Sequence, residues 1–151
     1  MANAARDNVL YDDIFTIEEV DPGGKNFESI SRIVCRSLGF NATLLLDVYS
    51  WVFSVEVGIN IRMVIVNSLN LDGSLGEESY VPTKERTLAD DFDYVMHGRF
   101  YQMGNSIEDD GRPVSMHASF GGLLMSLTGD PKLFELFVPK SFVYLMLKRT
   151  Y

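Results

Sequence analysis

The side chains in this sequence that could do chemistry are few and stand far apart. His97 and His117 are the two histidines, and neither has a cysteine or carboxylate at the spacing of a zinc ligand set. We therefore expect both on the surface or rim of the fold. Cys35 is the single cysteine, which excludes an internal disulfide, and no base is paired with it. We expect its thiol to be buried and unreactive.

The acidic stretch at residues 88–93 is the one candidate metal site. Asp91 and Asp93 are two residues apart, so on a strand both carboxylates would point to one face and could bind a divalent cation. The third carboxylate that such a site needs is missing, since Tyr94 and Val95 follow. We favour a strand with two solvated acids on one face and a buried apolar row on the other. The sequence predicts no metal and no cofactor.

The glycine pair Gly121 and Gly122 is interpreted as structural, because the chain has neither a Gly-x-Gly-x-x-Gly fingerprint nor a Walker lysine. Apolar residues occupy even positions in 114–120 and odd positions in 123–127. A period of two changes phase where one residue is inserted or where both faces are buried. We therefore predict a β-bulge at the glycine pair, which would bend one strand around a barrel.

Short alternating segments separated by turn residues predict an all-β fold. Asp130 and Pro131 are placed as the N-cap and first residue of a short helical turn over residues 132–137. The polar, acidic run at about 70–90 predicts one long mobile loop. Closure of the strands into a barrel is favoured over a sandwich because it removes exposed sheet edges. The predicted strands are residues 14–20, 29–38, 42–57, 59–65, 92–103, 114–127 and 142–148.

Composition narrows the class of protein. The chain has 151 residues, 46% of them hydrophobic, which suits one domain with one core over 1–151. It has no run of about 20 apolar residues that could span a membrane. The first nine residues lack the apolar stretch of a signal peptide, so we expect an intracellular protein. The net charge of -8, with scattered lysines and arginines, disfavours nucleic-acid binding and suits docking to a basic partner.

Taken together, the motifs resemble the small eighth subunit shared by the eukaryotic nuclear RNA polymerases I, II and III. Matching stretches follow in the same order along nearly the whole chain, at residues 12–15, 20–27, 31–32, 45–48, 69–73, 88–98, 119–125 and 143–146. The two most specific are Leu88-Ala89-Asp90-Asp91-Phe92-Asp93-Tyr94-Val95-Met96-His97-Gly98 and Ser119-Phe120-Gly121-Gly122-Leu123-Leu124-Met125. The chain departs from the family at residues 51–60, which lack its usual Tyr-Pro and Gly-Asp pairs, and at Ser126, where a larger residue is common.

The resemblance implies a closed antiparallel barrel of about eight strands, similar to the oligonucleotide/oligosaccharide-binding (OB) fold, with at most short helical turns. It implies a non-catalytic subunit in the nucleus, including the nucleolus. Such a subunit would pack as a monomer against the largest subunit of RNA polymerase and the core assembly, without touching membrane or nucleic acid. No catalytic residue can be carried over. The residues expected to shape the barrel or its docking face are Asp91, Asp93, Tyr94, Met96, Gly98, Phe120, Gly121, Gly122, Leu123, Leu124 and Met125.

Two alternatives stay open from the residues alone. Tyr49, Trp51 and Phe53 could form a base-stacking platform, which would make the chain a single-stranded nucleic-acid-binding OB module. A small-ligand carrier is the other alternative, because some closed barrels enclose a cavity. A filled core would leave no room for such a ligand, and the residues expected to fill it are Leu44, Leu46, Phe92, Phe120 and Met125.

Overall fold

The predicted closed barrel is confirmed. The structure, a computed structural model, describes residues 8–24, 29–68, 91–104 and 113–150. Within these ranges eight strands close in the order β1-β2-β3-β7-β6-β5-β8-β4, and every neighbouring pair is antiparallel. The strands are β1 (Val9–Val20), β2 (Ile30–Ser37), β3 (Thr43–Tyr49), β4 (Asn60–Val66), β5 (Tyr94–Gly104), β6 (Val114–Phe120), β7 (Leu123–Gly129) and β8 (Phe142–Arg149).

Side-chain alternation fills the interior of the barrel. In β6 and β7 every second residue is buried, as expected where one face of a strand points into a core. Of the predicted core residues, Leu44, Leu46, Phe120 and Met125 are at most 4% exposed. Phe92 is the exception, because it precedes β5 and packs in a separate apolar cluster on the outside of the barrel.

The predicted third strand is too long. It ends at Tyr49, where the carbonyl oxygen accepts hydrogen bonds from the amides of Val52 and Phe53, both at 3.0 Å. These two local bonds turn the chain, although the apolar residues continue to alternate. Phe53 therefore returns to the core at 1% exposure, whereas Trp51 is 74% exposed.

The predicted bulge at Gly121 and Gly122 is also wrong. These residues form the two-residue loop of a hairpin that joins β6 to β7, with Phe120 paired directly to Leu123. Their φ angles, 62° and 96°, are both positive, as a type I′ turn requires. A chain that reverses over two residues pairs even positions with odd ones on the same face. This reversal explains why the apolar residues change from even positions in β6 to odd positions in β7.

Replacing Gly121 by valine should destabilise the fold by about 2 kcal/mol, because a β-branched residue adopts a positive φ at high cost. A side chain at this position would meet no atom within 4 Å, so the cost comes from the backbone alone. Gly121→Asn is the matched control, since asparagine tolerates this conformation. Urea unfolding of both variants tests the turn, and an equal loss of stability in the two would contradict it.

The helical turn predicted after Asp130 is present but short. It is a 3-10 turn at Pro131–Phe134, and the Asp130 carboxylate caps it by accepting from the amide of Lys132 at 2.9 Å. The mobile loop predicted at about 70–90 lies outside the described residues. Among the described residues no helix is long and apolar enough to cross a membrane.

Two buried side chains, Cys35 and Asp13, differ in their surroundings. Cys35 is fully buried in β2, and burial raises the pKa of its thiol to about 12, which keeps it protonated and unreactive. Asp13, only 6% exposed, lies on the same side of β1 as the core residue Phe15. Its carboxylate accepts from Tyr11 Oη at 2.9 Å, from the amides of Ile14 and Gly39 at 2.7 and 3.3 Å, and from Ser37 Oγ.

Candidate functional site

The structure separates the predicted site residues into two groups. The inward group is buried in the barrel wall, and the outward group is exposed on its surface. The inward members can shape the barrel, and the outward ones lie at its surface. The inward residues are Tyr94, Met96, Gly98, Phe120, Leu123 and Met125; the outward residues are Asp91, Asp93, Gly121, Gly122 and Leu124.

The two most specific sequence stretches meet at Gly98. A Cβ atom built on this residue would lie 2.2 Å from the carbonyl oxygen of Ser119 and 2.5 Å from Phe120 Cδ1. Neither distance is possible between non-bonded atoms, so only glycine lets β5 approach β6 this closely. The Phe120 ring occupies the space that a side chain at position 98 would need.

Tyr94 joins the start of β5 to the end of β3. Its hydroxyl oxygen accepts a hydrogen bond from the amide of Tyr49 at 3.0 Å, and its ring lies 5.7 Å from the ring of Phe53. Burial raises the pKa of the Tyr94 hydroxyl. The neutral phenol thus links β5 to the end of β3, where the chain turns.

Within the described residues, the acidic pair at the start of β5 has no third metal-binding side chain beside it. Asp91 and Asp93 are both exposed and both precede the first residue of the strand. One Asp93 carboxylate oxygen accepts from the amide of Arg149 at 3.3 Å, which ties it to the end of β8. Within the described ranges, no group of three or more histidine, cysteine or acidic side chains is placed to hold a metal ion.

Both histidines lie on the outer side of the barrel, as expected. The His97 ring stacks on Phe142 at 5.6 Å and lies 4.6 Å from the ring of Tyr144. Partial burial lowers its pKa, which favours the neutral ring. His117 stacks against Tyr101 at 6.1 Å. These contacts are aromatic packing on the barrel wall.

One outer surface of the barrel is not covered by other parts of the described chain and carries exposed apolar side chains. We call it the front face. Leu45 and Tyr49 on β3 are each 38% exposed there, and Leu124 at the start of β7 is 43% exposed. The strongly exposed Trp51 adjoins it, because the amide of Ser50 donates to Ser29 beside the start of β2. The front face comprises Ile30, Arg32, Val34, Arg36, Leu45, Asp47, Tyr49, Leu124 and Ser126.

An ion pair lies at the centre of the front face. Arg32 and Asp47 are register partners on β2 and β3, and the guanidinium donates to both carboxylate oxygens, at 2.7 and 3.1 Å. The second of these oxygens also accepts from the amide of Leu124 at 3.1 Å. Asp47 is only 7% exposed. Because it accepts hydrogen bonds from both Arg32 and Leu124, it holds the Arg32 side chain and the start of β7 in one rigid arrangement.

Sequence reasoning did not single out Arg32 or Asp47 as site residues. The available signal was opposite charge on two neighbouring strands, which could be recognised only once the register was known. The register pairs Arg32 with Asp47 and Val34 with Leu45, so charge and apolar character each match across the strands.

The opposite wall, which we call the back face, is closed. Four of its apolar side chains on β4 and β8 are at most 6% exposed, and Phe92 and Val95 pack against them. Arg62 and Lys148 each hold a cation over the Phe92 ring, at 5.9 and 5.7 Å. The buried members of the back face are Val64, Val66, Tyr144 and Met146. The two faces thus differ in what they offer a partner.

The geometry disfavours the nucleic-acid alternative. Tyr49, Trp51 and Phe53 do not form one platform, because Phe53 is buried. Every arginine in the described ranges binds an acceptor within the chain, and three of the five pair with a carboxylate that offsets their charge. The five pairs are Arg32 with Asp47, Arg36 with Glu18, Arg62 with Asp12, Arg99 with the Lys140 carbonyl and Arg149 with the Ser54 carbonyl.

The fold is a closed antiparallel barrel of eight strands, consistent with the OB fold, and its front face carries exposed apolar side chains. Residues 12–149 match the protein family described as RNA polymerase Rpb8. The match covers almost the whole barrel, from the first strand to the end of the last. The chain belongs to this family.

Curated relatives are similar over nearly their full lengths. The chain is 36% identical over 142 residues to the DNA-directed RNA polymerases I, II, and III subunit rpabc3 of Dictyostelium discoideum, which covers 94% of this chain and 98% of the relative. It is 34% identical over 143 residues to the DNA-directed RNA polymerases II, IV and V subunit 8B of Arabidopsis thaliana, covering 93% and 96%. The DNA-directed RNA polymerases I, II, and III subunit RPABC3 of Saccharomyces cerevisiae is 37% identical over 131 residues, covering 82% and 86%.

Proposed function

We propose that this chain is a non-catalytic common subunit of the DNA-directed RNA polymerases I, II and III. In this role it supports transcription by packing against the largest subunit and stabilising the core assembly. The observation that carries the proposal is membership of the Rpb8 family over residues 12–149. The relatives are named as polymerase subunits. We propose that this chain works in the nucleus, including the nucleolus. We further propose that the chain forms one domain and enters the assembly as a single copy.

The front face is the part of the barrel that we propose contacts the polymerase. Its apolar side chains Leu45, Tyr49 and Leu124 are exposed, whereas those of the back face are already buried within the chain. Desolvating exposed aliphatic and aromatic side chains at the centre of a contact is the usual source of binding free energy. The rigid Arg32–Asp47 pair beside them would fix the register of the partner.

Recovery of tagged chain from nuclear extract tests the proposal. The large subunits of all three polymerases should be recovered with it and identified by mass spectrometry. Leu124→Glu should lower that recovery at least tenfold, because it buries a charge in an apolar contact. Ile14→Glu introduces the same charge at a residue of similar exposure, 38%, outside the front face, and should leave recovery unchanged. Folded wild-type chain recovered without polymerase subunits would refute the function.

A further inference from the structure

A small cleft opens on the front face between the turn that follows β1 and the hairpin turn at Gly122. It encloses about 120 Å³. Asp21 and Gly24 form one wall, Gly122 and Leu123 the other, and the Arg32–Asp47 pair lies between them. A recess of this size on an otherwise convex barrel wall can accept a single side chain.

The charged groups in the cleft are arranged as acid, base, acid. Arg32 is held by both oxygens of Asp47, so its charge is neutralised and its position is fixed. Asp21 is also fixed, because its amide donates to the Arg32 carbonyl at 2.7 Å and its Oδ1 accepts from the Arg32 amide at 3.0 Å. One oxygen of Asp21 has no hydrogen-bond partner among the described residues. The cleft therefore carries one net negative charge and an available acceptor.

The charge around the cleft has the same sign. Glu18 and Glu19 lie at the end of β1 beside it, and Arg36 is the other basic residue of the front face, bound to Glu18 at 3.1 Å. Counting Asp21 and Asp47, four acids face two arginines. The surface thus attracts a cation and repels a carboxylate.

Apolar side chains line the rest of the cleft. Ile30 and Leu123 line it, and the exposed Leu124 adjoins it. A lysine or arginine matches this combination, because its methylene stem can lie along apolar surface while its charged head reaches the acid. We propose that the cleft receives one basic side chain from the polymerase partner. This inference rests on the proposed function and specifies the chemistry of the docking surface.

Asp21→Asn in the full-length chain tests the proposal. Asp21 has a positive φ of 51°, which asparagine adopts readily, and the amide oxygen can still accept from the Arg32 amide. The melting temperature should therefore stay at the wild-type value. Recovery of polymerase from nuclear extract at physiological salt should fall about tenfold, since a buried charge pair has lost one partner. Glu135→Gln is the control, because it removes the same charge at an exposed residue that lies outside the front face and does not line the cleft.

The outcomes separate the cleft from the function. Loss of binding in Asp21→Asn with less than about a twofold change in Glu135→Gln supports the cleft. Equal losses in the two variants would mean that only the overall charge matters, and would overturn it. Wild-type recovery by Asp21→Asn would also overturn the cleft while leaving the proposed subunit role intact. Failure of the wild-type chain to recover polymerase would instead refute the role itself.

Discussion

Replacement of Gly98 by alanine is expected to destabilise the barrel by about 3 kcal/mol, at the upper end for an overpacked core. The added Cβ would lie 2.2 Å from the Ser119 carbonyl oxygen, which is part of the β6 backbone and cannot move aside by a rotamer change. β5 and β6 would have to separate. For a chain of this size the melting temperature should fall by roughly 6–12 °C. Circular dichroism during thermal and urea unfolding measures the loss.

Gly23→Ala is the matched control for Gly98→Ala. The chemical change is the same, but Gly23 lies in an exposed turn where an added Cβ meets no atom within 4 Å. Its φ of 82° leaves only a conformational cost, about 1 kcal/mol. If Gly98→Ala cost no more than this control, the close approach of the two strands would be wrong.

Removal of the Asp13 carboxylate should cost about 3–4 kcal/mol, the second large effect. Asp13→Ala would leave the hydroxyl groups of Tyr11 and Ser37 and the amide of Gly39 without their acceptor. Each buried donor without a partner costs about 1–3 kcal/mol, with some relief from rearrangement. Burial and the nearby carboxylate raise the pKa of Tyr11 well above its ordinary value, so this phenol stays a donor at all ordinary pH values.

The neighbouring residue provides the control for Asp13. Asp12 is exposed and pairs with Arg62 at 2.7 Å on the surface, where such ion pairs contribute about 0–1 kcal/mol. Asp12→Ala should therefore change the free energy of unfolding by less than about 1 kcal/mol. Similar small losses in both variants would show that Asp13 does not hold β1 to the β2–β3 turn.

Local patterns predicted the fold because they reflect local rules. Strict alternation in residues 59–65 located β4, and Asp130 followed by Pro131 located the 3-10 turn and its cap. A side chain that points alternately in and out, or an acid that caps a turn, needs no distant partner to be recognised. This is why the all-β barrel class and most of its strands could be predicted before any register was known.

The errors arose where a distant contact decides the local structure. The alternation that continues past Tyr49 gave no sign that the chain turns there, and the glycine pair fitted a bulge as well as a hairpin. Asp13 looks like a surface acid, since only the fold brings Ser37 and Gly39 to it. The Arg32–Asp47 pair was equally hidden until β2 and β3 were in register. The candidate docking surface therefore could not be predicted without knowing which strands are neighbours and how they pair.

The sealed position of Cys35 has a practical consequence. Because the only native sulfhydryl group cannot be reached by reagents in the folded state, a cysteine introduced elsewhere would be the sole labelling site. Leu124→Cys would carry a photo-crosslinker or spin label to the middle of the proposed contact without a second mutation to remove background. Single cysteine substitutions can therefore map the contacts of the barrel one position at a time.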